Sequence, residues 1–397
     1  MSVTYPKGFI AGGVSAGLKR SGSLDLGLLV GDPGTTAAGL FTTNVVCAAP
    51  VVLSRARLAN GAARAVIVNS GQANAATGIR GERDALAAVA AAADLAGLGS
   101  EELLACSTGV IGEPLHLADM IAGFPGLVDA VSTEGGEAFA RAIMTTDTVD
   151  KCATADAGPL RVGGCAKGVG MIAPHLATML AFVTTDAAVD VRHLSTLARE
   201  RLQPVFNALT VDACPSTNDT VLLFASGAAG EPPVEPGSAA WPGLAEAIGA
   251  VASSLADQLI HDAEGVTHVL LVDVEGAADD RDARVVARAV ADSPLVKTAI
   301  FGQDPNPGRV LQAVGSSGAA VDPATLDVWI GDVQLAAGSV IPPAYFEDGG
   351  PKAAAKAAMA SPEVTVRVRL GDGPGMARML GCDLSYEYVR INGEYTT

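Results

Sequence analysis

Three stretches carry residue types suited to acyl transfer. Thr178 follows a Gly-rich run, R-V-G-G-C-A-K-G-V-G-M-I-A-P-H-L-A over 161–177, and opens an apolar, β-branched stretch over 178–185. A threonine in that position ordinarily packs a strand. A loop ending in a small residue, Ala177, against a rigid strand also suits an N-to-O acyl shift, in which the hydroxyl attacks its own preceding carbonyl. The freed α-amine would then act as base for the same hydroxyl, and its ordinary pKa of about 7.7–8.0 removes the need for a histidine. Ser107-Thr108-Gly109-Val-Ile-Gly112 follows a strand-like run. Unpaired N–H groups at such a turn can hold a developing oxyanion, or the segment can be a plain capped turn. Lys167, eleven residues before Thr178, is either a contact for a substrate carboxylate or a solvated loop lysine.

Two other glycine motifs fail on context. Gly13-Val14-Ser15-Ala16-Gly17 fits the G-x-S-x-G nucleophile elbow, but the elbow needs a strand before it and a helix after it. Here it falls near the chain start, and L-K-R-S-G-S (18–23) opens a helix poorly. Gly12 to Lys19 approaches a P-loop, yet Leu18 separates Gly17 from Lys19 and no Ser or Thr follows the lysine.

The elements that must position these residues alternate between strand and helix. Strands are expected over 64–69, 103–106, 178–185, 220–224, 266–274 and 364–370, and helices over 82–98, 134–144, 191–207, 244–263 and 280–292. The run 161–177 reads as irregular, and 227–237, rich in Gly and Pro, as a surface loop. Strands and helices mix throughout, so the class is α/β or α+β with layered sheets and helices.

With 26 basic and 43 acidic residues the formal charge is −17, which disfavours nucleic acid and anionic lipid as partners. The start lacks a basic segment followed by an apolar one, and the longest apolar stretch, 85–98, is too short for a bilayer. The six cysteines have no C-x-x-C spacing and read as buried free thiols in a reducing cytoplasm; no metal site is expected from the five histidines.

Eight segments in order carry a resemblance. They are N-S-G-Q-A-N-A-A-T-G (69–78), C-S-T-G-V-I-G (106–112), A-I-M-T-T-D-T (142–148), A-K-G-V-G-M-I-A-P-H-L-A-T-M-L (166–180), S-T-N-D-T (216–220), D-A-E-G (262–265), S-P-L-V-K-T-A (293–299) and I-N-G-E-Y-T-T (391–397). Over essentially its whole length the chain resembles the ornithine acetyltransferase (glutamate N-acetyltransferase) family of arginine biosynthesis. The resemblance implies a layered α/β fold similar in logic to N-terminal-nucleophile hydrolases. It also implies cleavage between Ala177 and Thr178, giving an α chain of 1–177 and a β chain of 178–397, two of each in a heterotetramer.

By the same resemblance Thr178 is the acetyl acceptor and Thr108 with Gly109 forms the oxyanion pair. Thr145, Lys167, Thr178, Glu264, Asn392 and Thr397 are the substrate-binding positions. The substrates are N-acetylornithine and glutamate, in a ping-pong reaction without a cofactor, acetyl-CoA being an alternative donor. Glu264 could accept ornithine's δ-ammonium but would repel glutamate's side chain, so it acts through water and backbone or the two side chains point differently. Departures from the family pattern are Pro307 where Trp is usual, Ala76 where Cys is common, and Pro215. Other readings are an amide hydrolase or aminopeptidase on a similar self-cleaving scaffold, an acetyltransferase of secondary metabolism, and a binding protein on an inactive copy of the fold.

Overall fold

Short runs of Val, Ile, Leu and Ala build the strands, and these divide between two units, 1–207 with 214–259, and 208–213 with 260–395. The computed structural model of the chain describes residues 2–59, 61, 63–173 and 179–394; Ala177, Thr178 and Thr397 lie outside the described residues. The first unit runs β1 (Phe9–Val14), β2 (Leu26–Gly31), β3 (Thr36–Phe41), α1 (Ala49–Ala59), β4 (Ala65–Gln72), α2 (Gly78–Ala96), β5 (Leu103–Val110), α3 (Leu117–Ala130) and α4 (Gly136–Ala142). It continues with β6 (Lys151–Ala157), β7 (Leu160–Lys167), β8 (Leu180–Thr185), α5 (Val191–Leu197), α6 (Gln203–Phe206), β9 (Thr220–Ala225) and α7 (Trp241–His261).

Its strands form two sheets, ordered β1-β2-β4-β5 and β3-β9-β8-β7-β6. One buried cluster draws on both, with Leu29, Val66, Val68 and Leu104 from the first sheet and Cys165, Leu180, Phe182, Leu222 and Phe224 from the second. The sheets therefore stack face to face. Phe139 of α4 meets Phe182 edge-on at 5.1 Å between ring centroids, a geometry worth about 0.5–1.5 kcal/mol beyond the area it buries. Alternate residues of the first sheet, Ala65, Ile67 and Leu103 among them, point the other way onto Val89 of α2 and Phe124 of α3. On the far side of the second sheet, α7 lies against β7, where a Cβ built on Gly164 would come 2.9 Å from Val251. Helix, sheet, sheet, helix is the resulting order, the layered α/β class expected from the sequence.

The second unit holds β10 (Val269–Ala277), α8 (Asp280–Asp292), α9 (Pro294–Phe301), α10 (Pro307–Gly315), β11 (Asp327–Ile330), β12 (Val333–Ala336), α11 (Pro351–Ala358), β13 (Glu363–Arg369), β14 (Gly375–Cys382) and α12 (Tyr386–Glu394). Its sheet is ordered β12-β11-β13-β10-β14. Val272, Val366 and Val328 share a core with Val286, Ile300, Val314 and Ala355 from the helices. Pro307, the departure from the family's Trp, is buried at the first position of α10. Proline suits that position because its missing N–H would have no helical partner there. Asn306 caps the helix by accepting from the Arg309 amide at 3.3 Å.

Several sequence expectations change. The run 161–177, read as irregular, is strand β7 as far as Lys167. Its glycines sit where both faces are tightly covered: a Cβ on Gly163 would come 2.2 Å from the Ser2 carbonyl. Helix α2 begins at Gly78, so Glu82 and Asp84 leave its first turn, and Gly97 ends it in the left-handed conformation at φ 66°. The helix expected over 191–207 is α5 and α6 joined through a π-helical turn, Ala198–Leu202. The strand expected over 178–185 is described from Leu180. Of the six cysteines only Cys106, Cys165 and Cys382 are buried, while Cys214 is exposed. Among the described residues no helix is long and apolar enough to cross a membrane.

The tight seat of α7 on β7 yields a test. Gly164→Val should destabilise by about 1–3 kcal/mol through overpacking. Gly126→Ala, on an exposed turn of α3 with open space around it, should stabilise by about 0.4–1 kcal/mol. Thermal melts of the two variants should therefore move in opposite directions.

Candidate active site

Lys167 ends β7, paired with Leu180 of β8, while its neighbour Ala166 pairs with Lys151 of β6. Both lysine side chains are buried. A buried ammonium must be paired or it loses its proton, and the partner here is Asp147. Asp147 Oδ1 accepts from Lys151 Nζ and from the Gly168 amide, both at 2.8 Å, and Oδ2 accepts from the Thr145 amide at 3.0 Å. Burial by itself would push the Asp147 carboxyl up, but the charges of Lys167 and Lys151 outweigh it and hold the group below the usual carboxylate range.

Lys167 Nζ donates to Thr145 Oγ1 at 2.6 Å and to Thr108 Oγ1 at 3.2 Å. Three expected site residues, Thr108, Thr145 and Lys167, thus meet at one ammonium. Lys167 is neither a solvated loop lysine nor a lone cation, since Lys151 shares its counter-charge. A hydroxyl that accepts a bond from a cation is polarised and becomes a stronger donor through its own hydrogen.

Thr108 and Gly109 close β5, in parallel register with Ser70 and Gly71 of β4. Gly109 and Gly71 have φ of 129° and 130°, values that side chains rarely allow. A Cβ on Gly109 would lie 2.2 Å from the Gly71 carbonyl, so the two strands approach with no room for one. The S-T-N-D-T segment fixes this end of β5 from the other sheet. Asn218 Nδ2 donates to the Ser107 carbonyl at 2.8 Å and to the Ala73 carbonyl at 2.6 Å. Ser107 Oγ donates to Asn69 Oδ1 at 2.5 Å.

Asp219 follows, fully buried. Its Oδ1 accepts from the Met179 amide at 3.1 Å, while among the described residues Oδ2 has no hydrogen-bond partner. Burial pushes this carboxyl well above its usual range, against the opposing Met179 bond and the Lys167 charge. Met179 is covalently next to Thr178, so the Asp219 carboxyl anchors the chain one residue beyond the expected nucleophile.

Glu264 and Asn392 belong to the second unit and pair there, Asn392 Nδ2 donating to Glu264 Oε2 at 2.9 Å. The close approach of Gly265 to the Tyr388 amide, 2.4 Å from a built Cβ, draws the start of α12 to this segment. The elbow-like Gly13–Gly17 is no elbow, because Asp25 occupies its turn, accepting from the amides of Ala16, Leu18 and Lys19 at 2.6, 2.6 and 3.0 Å. Sequence reasoning assigned no role to Asp147, Lys151, Asn218 or Asp219, although all but Lys151 stand inside segments that carried the resemblance. The signal for Asp147 was electrostatic: if Lys167 is buried, a carboxylate must accompany it.

The two buried carboxyls predict opposite pH behaviour. Asp147 has a depressed value, so its stabilising contribution is present above the ordinary carboxylate value of about 3.9 and is lost as pH falls below it. Asp147→Asn should cost about 3–5 kcal/mol at pH 7, by removing the carboxylate that pairs with the buried Lys151 ammonium, and the gap should close on acidification. Asp219 has a raised value, so what its proton contributes is present below about 3.9 and is lost as pH rises towards the folded value. The Tm of Asp219→Asn relative to the parent should accordingly increase from pH 4 upwards. Melting both variants across pH 3–8 checks the signs, and parallel curves would contradict the assignment.

The ArgJ family profile matches residues 10–397. The arginine biosynthesis bifunctional protein ArgJ of Symbiobacterium thermophilum is 46% identical over 401 residues, covering 100% of this chain and 98% of its own. Its namesake in Parasynechococcus marenigrum is 48% identical, covering 100% of this chain and 95% of its own. A crystal structure of the Bacillus halodurans protein of that name aligns with TM-score 0.50 and 39% identity, over 54% of this chain and 98% of that one. Matched from Ile10 to its last residue and aligned end to end with both relatives, the chain belongs to the ArgJ family.

Proposed function

We propose that this chain cuts itself between Ala177 and Thr178 and transfers acetyl from N-acetylornithine to glutamate through Thr178, in arginine biosynthesis. The observation that carries the reading is the Lys167 ammonium bridging Thr108 and Thr145 at 3.2 and 2.6 Å. It sits at the ends of the strand and loop that lead to Thr178. In processing, Thr178 Oγ attacks the Ala177 carbonyl, the peptide C–N bond breaks, and the proton passes from Oγ to the departing nitrogen. Water then hydrolyses the ester, leaving an Ala177 carboxylate and a Thr178 with free hydroxyl and amine. The pieces 1–177 and 178–397 stay joined through the β7–β8 ladder, which pairs six residues of each strand across the cut. The solved Bacillus halodurans chain is little more than half as long as this one, judged from the two coverages, which supports a family divided into two chains.

In transfer, the α-amine of Thr178 takes the hydroxyl proton while Oγ attacks the acetyl carbonyl. The oxyanion is held by the Thr108 hydroxyl, polarised by Lys167, and by the Gly109 amide. The amide C–N bond breaks, the proton moves to the leaving nitrogen, and ornithine departs. Glutamate's amine then takes the acetyl group from the Thr178 ester. Lys167 holds the α-carboxylate that both substrates share, and Thr145 orients Lys167. Glu264, Asn392 and Thr397 serve the substrate's other end. The ester conserves the energy of the amide, so no cofactor is required. The bifunctional name of the relatives supports acetyl-CoA as a second donor. We further assign two copies of each piece to a cytoplasmic heterotetramer.

Incubation with N-acetylornithine alone should add one acetyl group to the 178–397 piece, and glutamate should remove it. Initial-rate plots should be parallel. Thr108→Ala should lower kcat by about 10²–10³, as expected for loss of one oxyanion donor. Release of free acetate faster than acetylglutamate would favour the amide-hydrolase reading instead.

A further inference from the structure

A third lysine of the first unit, Lys19, feels the charges of Lys167 and Asp147. Asp25, fully buried, gathers three amides and folds residues 16–19 into a compact turn. The Leu18 carbonyl, which accepts from Gln72 Nε2 at 2.9 Å, lies 2.7 Å from where a Cβ on Gly71 would be. Gly71 in turn abuts Gly109. Leu18, Gly71 and Gly109 are thus stacked backbone on backbone with no side chain between them, and Lys19 is the next residue of that turn. Lys19 Nζ makes one hydrogen bond among the described residues, to the Leu24 carbonyl at 2.7 Å, so donor capacity remains. Asp25 spends its oxygens on amides rather than on this ammonium. Burial lowers Lys19 to about 8; the charge of Lys167 adds to that, and Asp25 and Asp147 oppose it. The lysine therefore senses the charged centre described above.

The two amino acids in the proposed reaction are alike at the α-carbon and opposite in charge at the far end. Lys167 can serve the shared α-carboxylate but cannot tell the two apart. A further cation in reach favours a dicarboxylic acceptor and gains nothing from a diamino one. We propose that Lys19 is a specificity-determining residue whose ammonium receives the side-chain carboxylate of the dicarboxylic amino acid acceptor. This assignment rests on the acetyl-transfer reading, and it gives the side-chain carboxylate of the acceptor a cation to meet.

The test uses the processed full-length protein and follows the two half-reactions separately. Acetylation of the 178–397 piece by N-acetylornithine is read by mass. Its deacetylation is timed with glutamate and with glutamine, which differ in charge at one atom. Lys19→Met should lose tenfold to a hundredfold in kcat/KM for glutamate, the loss of one charge-assisted hydrogen bond. The loss should be concentrated in that step, so that the preference for glutamate over glutamine collapses, and Lys19→Arg should restore most of it. In the parent the glutamate rate should fall above about pH 8 as the ammonium is lost, a limb absent with glutamine and absent from the Met variant. Equal slowing with glutamate and glutamine, or failure of Arg to rescue, would make Lys19 a support of the turn and overturn the proposal. Absence of acetyl label on the parent protein would overturn the acetyl-transfer reading and this assignment with it.

Discussion

A buried ammonium at the end of a strand demands a carboxylate, and much of the first unit is arranged around that demand. Lys167 cannot keep its charge out of water unless an anion accompanies it, and the Asp147 carboxylate, paired with Lys151, acts on it through its charge. The same carboxylate must also serve Lys151 and two backbone amides, which fixes the loop 145–148 against the ends of β6 and β7. Lys151 bonds that carboxylate and Lys167 feels its charge, and a buried cation of this kind can meet a ligand carboxylate, which is what an amino acid brings. The overall charge of −17 does not bear on this, because it describes the surface field while the pairing is internal.

The second constraint is steric. Gly71 and Gly109 let two strand ends approach more closely than any side chain would permit, and the Leu18 turn is stacked on the first of them. Asn218 then ties the Ser107 carbonyl to the other sheet. Two residues with ordinary rotamer freedom, Thr108 and Lys167, are thereby held by backbone that has little freedom left. Preorganisation of this kind matters for an oxyanion site, since donors already aimed at the developing charge need not reorient during the reaction. Asp219 contributes differently: buried, with its carboxyl pushed above the usual range, it accepts from the Met179 amide.

The layered class was legible because apolar runs such as 64–69 and 220–224 alternate with helical ones. The site residues were legible mainly through resemblance, and the structure brings together the ones it describes in two groups, Thr108 with Thr145 and Lys167, and Glu264 with Asn392. Strand β7 was missed for a physical reason. Gly163 and Gly164 are the residue type that breaks strand patterns, yet here they are required because Ser2 crowds one and Val251 and Leu255 crowd the other. Propensity describes a strand with room for side chains, and at Gly163 and Gly164 β7 has none. Asp147 and Asp219 were silent in the sequence because a single Asp in a Thr-rich turn looks like ordinary turn chemistry. Both are buried, and what separates them is the neighbouring charge: Lys151 and Lys167 hold Asp147 low, while burial raises Asp219.

The claim on which everything else rests is that Thr178 severs its own peptide bond. Intact mass with N-terminal sequencing tests it most directly, applied to the parent chain and to Thr178→Ala and Thr178→Ser. The account predicts two pieces for the parent, the second beginning Thr178-Met179-Leu180, one uncut inactive chain for the Ala variant, and cleavage retained with Ser. Cleavage of the Ala variant at the same bond, or full transferase activity in an uncut parent chain, would contradict it.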